Sequence, residues 1–430
     1  MNNLSNKAIK LISPSIVFVV VSSLIFAVYS GSAYGFHENR LINSKSRASA
    51  PVRNVITPPP NGGGGVGNPQ TAPAGFGVCS IHDAGITDGT DPVYVLLAAK
   101  AAGCGYVRID VAFNTIMKNG QVNQTVLSKF GNFAITATGM GVGVIPCLLP
   151  DGDISYGHWY SCGWFGLGRC YQDAQVIEPA WQNFVTAVAR EFGPAVTYYQ
   201  VLNEPNDFIS DQNYDPLNLI SPGLGLDGDL NAITAARQSL KSQNPTALVI
   251  VNVNTAMDFN WVVAKAFPSW LAFLEALSNS IDVAAIDNYP GSWVATSSLD
   301  WSALVQLFAA VDTPGNPLYN KQTAVMETGY PTDCVAYLPS CNNLTNAAQQ
   351  AYILSALPVI HTLAVVQNAA AHDGGGRFLF VGWYELMDSG GSWADFNGDW
   401  GVLREGSWKK FSSLEKPGFN SLYQEMMLFQ

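Results

Sequence analysis

The chain has 430 residues, 48% of them hydrophobic, which is enough for one large core. Only 12% are charged and the formal net charge is −11, with no basic stripe to neutralise phosphates, which excludes a nucleic-acid partner. A uronic-acid polymer would be repelled as well, so the balance suits a neutral ligand.

Lys7 and Lys10 precede an apolar run from Ile16 to Tyr29, and Gly31, Ser32 and Ala33 follow. That is the layout of an export signal cleaved after Ala33 or Gly35. The competing reading is an uncleaved membrane anchor, although Ser22 and Ser23 interrupt the run and it falls short of the roughly 20 residues of a comfortable span. Residues 1–35 are thus expected to be a signal peptide or membrane tether. The protein is expected to be secreted, periplasmic or held at the cell surface. Residues 36–74 are expected to be a linker. From Asn43 they are mostly Ser, Pro, Gly and Asn, including Pro58-Pro59-Pro60 and Gly62 to Gly65. No Lys-Ser/Thr follows the glycines, so they are not a phosphate loop.

Residues 75–430 carry a repeating pattern and are read as one domain. Apolar, β-branched runs fall at Gly75 to Cys79, Gly105 to Val111, Gly141 to Leu148, Val196 to Leu202, Ala247 to Val253, Ile281 to Ile286, Thr323 to Met326 and Arg377 to Trp383. Between them, apolar residues recur at helical spacing over Val93 to Ala102, Val126 to Thr138, Trp181 to Glu191, Leu230 to Ser242, Trp270 to Leu277 and Ala347 to Leu363. Eight continuous apolar strands with crossovers predict a parallel sheet covered on both faces, closed as a (β/α)₈ TIM barrel. An open doubly wound sheet would need a glycine-rich turn after its first strand. Cys79-Ser80-Ile81-His82-Asp83 offers none.

The seven cysteines suit an oxidising compartment. Cys162 with Cys170, and Cys334 with Cys341, are close enough in sequence to staple two loops, while Cys79, Cys104 and Cys147 read as small buried hydrophobes. Asp395 to Asp399 resembles the opening of a calcium loop, but Trp400 stands where glycine is required and Gly406 where glutamate is. No Gly-x-Ser-x-Gly elbow is present, which disfavours a serine esterase.

In such a barrel the chemistry sits at the C-terminal ends of the strands. Polar residues gather there: His82 and Asp83, Arg108 and Asp110, Asn203-Glu204-Pro205-Asn206, Asp287-Asn288-Tyr289, Glu327-Thr328-Gly329, and Trp383-Tyr384-Glu385. Glu204 and Glu327 end apolar strands four and seven, which lie across the ring from one another. Two facing carboxylates are the equipment for cleaving a glycosidic bond; a gap of about 5–5.5 Å goes with retention and about 6.5–9.5 Å with inversion.

Asn203-Glu204-Pro205 with Glu327-Thr328-Gly329 and Trp383 resembles the retaining glycoside hydrolases of clan A, including families 5 and 39, over Gly75 to Tyr423. The resemblance implies Glu204 as general acid then base, its proton favoured by the negative charge of Glu327, and Glu327 as nucleophile. It implies Arg108 beside Glu327 keeping it ionised, the alternative being an ion pair with Asp110. Asn203 would bind the sugar 2-hydroxyl, which requires a bulged strand end for Asn203 and Glu204 both to face the site. Tyr289 would donate to Glu327, and Trp383 would form the floor on which the sugar stacks. Many clan members carry His where this chain has Asp287. His82 could supply an imidazole instead, or be structural. Glu385 completes the substrate-binding candidates. Trp159, Tyr160, Trp164, Phe165, Tyr330 and Tyr337 lie in loops that could stack on sugar or pack on the barrel. The expected activity is retaining hydrolysis of β-glycosidic bonds in a neutral poly- or oligosaccharide by a monomer, without cofactor or metal. The alternatives are a barrel that binds carbohydrate without turnover, and a transglycosylase using the same covalent intermediate.

Overall fold

The computed structural model describes residues 76–118, 120–149, 159–162, 168–171, 174–206, 232–255, 267–292, 299–333, 344–371, 375–388 and 399–430; for 159–162, 168–171, 174–179 and 232 only the backbone is described. The expected signal, the linker, the Cys334–Cys341 pair and most of the calcium-like segment lie outside the described residues, as do the side chains of the Trp159–Tyr171 aromatic loop, Cys162 and Cys170 included.

The barrel is as the alternation predicts. Strands β1 (Phe76–His82), β2 (Tyr106–Ala112), β3 (Gly143–Leu149), β4 (Tyr198–Val201), β5 (Leu248–Asn254), β6 (Val283–Asp287), β7 (Gln322–Thr328) and β8 (Phe378–Trp383) pair in parallel in sequence order, and β8 closes on β1. The crossovers run through helices α1 (Pro92–Ala101), α2 (Gln124–Gly139), α3 (Ala174–Phe192), α4 (Ala232–Gln243), α5 (Trp270–Ala276), α6 (Ser302–Asp312) and α7 (Asn346–Ala370), and α8 (Gly418–Met426) follows β8. Local chemistry starts several of them: Asp91 accepts from the Val93 N–H ahead of Pro92, Asn123 caps α2 and Thr345 caps α7.

Period-two alternation sorts each strand into two layers. Val107, Ile109, Val249, Val251, Ala284 and Val325 face outward into the core shared with the helices. Val78, Ile145, Ile250, Val283, Ala285, Ala324, Met326 and Phe380 form a separate inner cluster with Phe76, Tyr106 and Tyr198 at its edge. Edge-to-face rings plug its lower end: Phe76–Tyr106 at 5.3 Å, Tyr106–Phe380 at 5.1 Å and Tyr198–Phe380 at 4.8 Å between centroids. Two residues up, the inward positions of five strands turn polar, to Ser80, Arg108, Gln200, Asn252 and Asp287. The fold is therefore a dry plug below and a polar cup above.

Two cysteines depart from the sequence expectation. Cys79 and Cys104 are not separate buried thiols; they form a disulfide with Cα atoms 5.8 Å apart. Cys79 points outward from β1, and Cys104 lies just before the neighbouring β2, so pairing of the strands brings them together across 25 residues of sequence. Cys147 remains a free, buried thiol. In the hairpin Trp159–Cys162 with Gly168–Tyr171, the register sets Tyr160 opposite Cys170 and Cys162 opposite Gly168.

Candidate active site

Glu327 comes from β7. Met326 already points inward, so in a regular strand Glu327 would face the helices. The register of β7 slips against both neighbours at this point, which rotates Glu327 into the cup. The slip brings the Met326 carbonyl so close to Gly382 of β8 that a Cβ there would sit 1.8 Å from it; only glycine fits. Glu327 is 5% exposed. Its Oε1 lies 2.6 Å from Arg108 Nη1, and its Oε2 accepts the Tyr289 hydroxyl at 2.6 Å.

Glu204 follows β4. Leu202 and Glu204 both take positive φ, 65° and 43°, so the chain leaves the extended form and the adjacent Asn203 and Glu204 need not point apart. Asn206 fixes this turn to β5, its Nδ2 donating to the Asn254 carbonyl at 2.8 Å and its Oδ1 accepting the Asn254 N–H at 3.0 Å. Carboxylate oxygens of Glu204, Asp287 and Glu327 lie within 4.8 Å of one another. Arg108 and Tyr289 already engage both oxygens of Glu327, and Asn252 engages Asp287, so the positive charge in this cluster comes from a guanidinium.

Arg108 spans the cup floor. Beyond Glu327 it donates to Gln200 Oε1 at 2.7 Å, Asn203 Oδ1 at 2.9 Å and Ser80 Oγ at 3.2 Å. Its partner is Glu327 rather than Asp110. Asn203 Oδ1 also accepts from Gln200 at 3.1 Å and Asn252 at 2.7 Å. Three donors on one oxygen fix the amide, leaving its NH₂ aimed away from them. Cys147 touches Arg108 Nη2 at 3.4 Å, and burial pushes its thiol up to about 12, so it is inert. Burial first, then the charge of Glu327, raises the Tyr289 phenol well above its ordinary value and keeps it a neutral donor.

His82 does not join the cluster around Glu204. Its Nδ1 meets Asp110 at 2.8 Å and its Nε2 meets the buried Glu385 at 2.7 Å, on the β1, β2 and β8 side of the mouth. Burial opposes charge on this imidazole, but Asp110 and then Glu385 outweigh it, and the His82 pKa is raised well above the usual 6.5. Asp110 is correspondingly lowered: burial works against its charge, and His82 overcomes it.

Trp383 requires a correction. It is 0% exposed and packs with Tyr352 in the outer core, so it cannot be the floor on which a sugar rests. Phe380 and Gly382 take the inward positions of β8, so Trp383 falls outward and the next inward residue is Tyr384. Tyr384 is half-buried, 5.6 Å from the His82 ring and 6.0 Å from Trp400, and the peptide that follows it is cis. Sequence reasoning missed Tyr384 as well as Gln200 and Asn252. The signal for the latter two was present, an amide at an inward register position of a largely apolar strand.

No protein-family model matches the chain, and no curated protein matches it in sequence. Solved structures do resemble it. A β-glycosidase superposes with a TM-score of 0.56 at 14% identity, covering 83% of this chain and 97% of that one. A family 5 glycoside hydrolase from Bifidobacterium longum, in complex with Manβ1-4GlcNAc, gives 0.55 at 14% identity, with 82% and 77% covered. The virulence factor SghA from Agrobacterium tumefaciens gives 0.52 at 15% identity, with 83% and 98% covered. This chain has the (β/α)₈ barrel fold of those structures. At such identities the likeness is one of fold, and the chemistry must be argued from the residues above.

Proposed function

We propose that the protein hydrolyses β-glycosidic bonds in a neutral oligo- or polysaccharide with retention, through a double displacement by Glu204 and Glu327. The observation that carries this reading is the approach of the two carboxylates to within 4.8 Å at the mouth of the barrel, which fits a shared anomeric carbon and leaves little room for an intervening water. Solved glycosidases share the fold, which supports the same reaction class here.

The roles follow from the contacts. Glu327 attacks the anomeric carbon while Arg108 and Tyr289 hold its two oxygens and fix its direction. Glu204 gives its proton to the leaving oxygen, then takes one from the water that releases the sugar. Asn203 presents its NH₂ to the sugar 2-hydroxyl, a contact that strengthens as charge develops on the ring. Tyr384 takes the stacking role expected of Trp383. Asp110, His82 and Glu385 form a polar wall suited to the hydroxyls of a neutral sugar. Export through residues 1–35, with residues 36–74 as a spacer, accords with a disulfide in the barrel.

The test is a reducing-sugar screen on polysaccharides together with aryl β-glycosides. Glu327→Ala is expected to abolish turnover. Glu204→Ala is expected to lose most activity on poor leaving groups and much less on activated aryl glycosides. Equal losses on both classes would contradict the acid/base assignment.

A further inference from the structure

Asp287 ends β6 at an inward position and is 0% exposed. The groups facing it come from five strands: Arg108 on β2, Glu204 after β4, Asn252 on β5, Tyr289 just beyond β6 and Glu327 on β7. Three carboxyl groups thus crowd within 4.8 Å of one another around a single guanidinium, and that guanidinium is ion-paired to Glu327. With Glu204 protonated as the acid of the proposed reaction, ionised Asp287 and Glu327 together would still leave one negative charge uncompensated beside a single guanidinium, so a second carboxyl holds a proton. Glu327 has Arg108 and Tyr289, and Glu204 is partly open to solvent; Asp287 is fully enclosed, and the neutral amide of Asn252 donates to it.

We propose that Asp287 is a standing neutral carboxylic acid, a positioning residue whose O–H donates to Glu204 and holds it for proton transfer. This rests on the assignment of Glu204 and Glu327 above. Burial first, and the charge of Glu327 second, push the Asp287 carboxyl well above the usual range, over the opposing pull of Arg108, Asn252 and Glu204. The proton accounting is simple. Glu204 passes its own proton to the leaving oxygen and becomes a carboxylate; Asp287 keeps its proton and strengthens its bond to that new charge. When water attacks the glycosyl intermediate, Glu204 recovers a proton from it and the pair returns to its starting state. An acid here supplies the donor that an imidazole would otherwise supply, without adding a charge beside Glu327.

The test has two arms on the full chain. In the first, the wild type carrying ¹³C-carboxyl aspartate is titrated by infrared spectroscopy. A protonated-acid carbonyl band persisting above neutral pH, and absent from Asp287→Asn, is expected; its absence from the wild type overturns the proposal. The second arm is the pH profile of Asp287→Asn on aryl β-glycosides. The amide retains a donor but a weaker one, so kcat is expected to fall about tenfold with KM nearly constant, and the alkaline limb to stay within about 0.3 pH unit. An ionised Asp287 would instead have been holding the Glu204 proton by repulsion, and its removal would drop that limb by about one unit or more. Such a drop overturns the proposal. If the wild type turns over no β-glycoside, the functional assignment fails, while the infrared arm still decides the state of Asp287.

Discussion

Arg108→Met probes the polar cup most severely. The ion pair to Glu327 spans 2.6 Å with side chains only 3% and 7% exposed, so removing the guanidinium strands a carboxylate out of water. Breaking a buried pair from one side costs about 3–5 kcal/mol. Gln200 Oε1 also loses its donor in a fully buried position, worth about 1–3 kcal/mol more. Asn203 Oδ1 keeps two of its three donors, so its loss is smaller. These effects share one network and do not add fully, which sets the expected loss at about 4–6 kcal/mol. Arg108→Lys keeps the charge but not the planar fork and should fall between. The assay is denaturant unfolding followed by tryptophan fluorescence, with unchanged slope as the check that the same transition is read. A loss below about 1 kcal/mol for Arg108→Met would refute the picture of an interlocked, desolvated floor.

Other consequences are equally specific. His82 should titrate above 6.5 by imidazole NMR, and Asp110→Asn should bring its midpoint down. Because the folded-state value is raised, its contribution to stability is complete below about 6.5 and fades as pH rises through the folded value, so thermal midpoints should decline on that alkaline side. Replacing both Cys79 and Cys104 by Ala opens a closure of 25 residues and should cost about 3.5 kcal/mol in unfolding free energy, read by denaturant titration. Tyr384→Ala should raise KM and lower kcat/KM about tenfold or more on glycosides, whereas Trp383→Phe should act through thermal stability with KM little changed.

How much of this was readable from residues alone follows from where the information lies. The barrel was readable because each strand is a mostly apolar, β-branched or aromatic run and each predicted helix has a buried stripe. Helix α6 was not among the predicted ones. Its buried Leu304, Leu307, Phe308 and Val311 have helical spacing, but half-buried Ala303 and Val305 and exposed Ala309 blunt the contrast. Glu204 and Glu327 could be named because a charge at the end of an apolar strand needs a reason, while the roles of Arg108 and Tyr289 came from the resemblance that the two glutamates carry. Whether each pointed inward could not be read, since that depends on a slip in β7 and on positive φ values after β4. Trp383 was misplaced for the opposite reason: β8 is regular there, and counting in twos from Phe380 through Gly382 selects Tyr384. The Cys79–Cys104 bond was hidden because the pairing is made by neighbouring strands, not by proximity in sequence.

The central claim, that Glu327 becomes covalently bonded to the sugar, is tested most directly by trapping. The enzyme is incubated with an activated 2-deoxy-2-fluoro-β-glycoside of the sugar it cleaves, digested, and analysed by mass spectrometry. The account predicts one added glycosyl residue on the peptide that contains Glu327, and none in Glu327→Ala. A label on another residue, or turnover that yields the inverted anomer without any label, would contradict it.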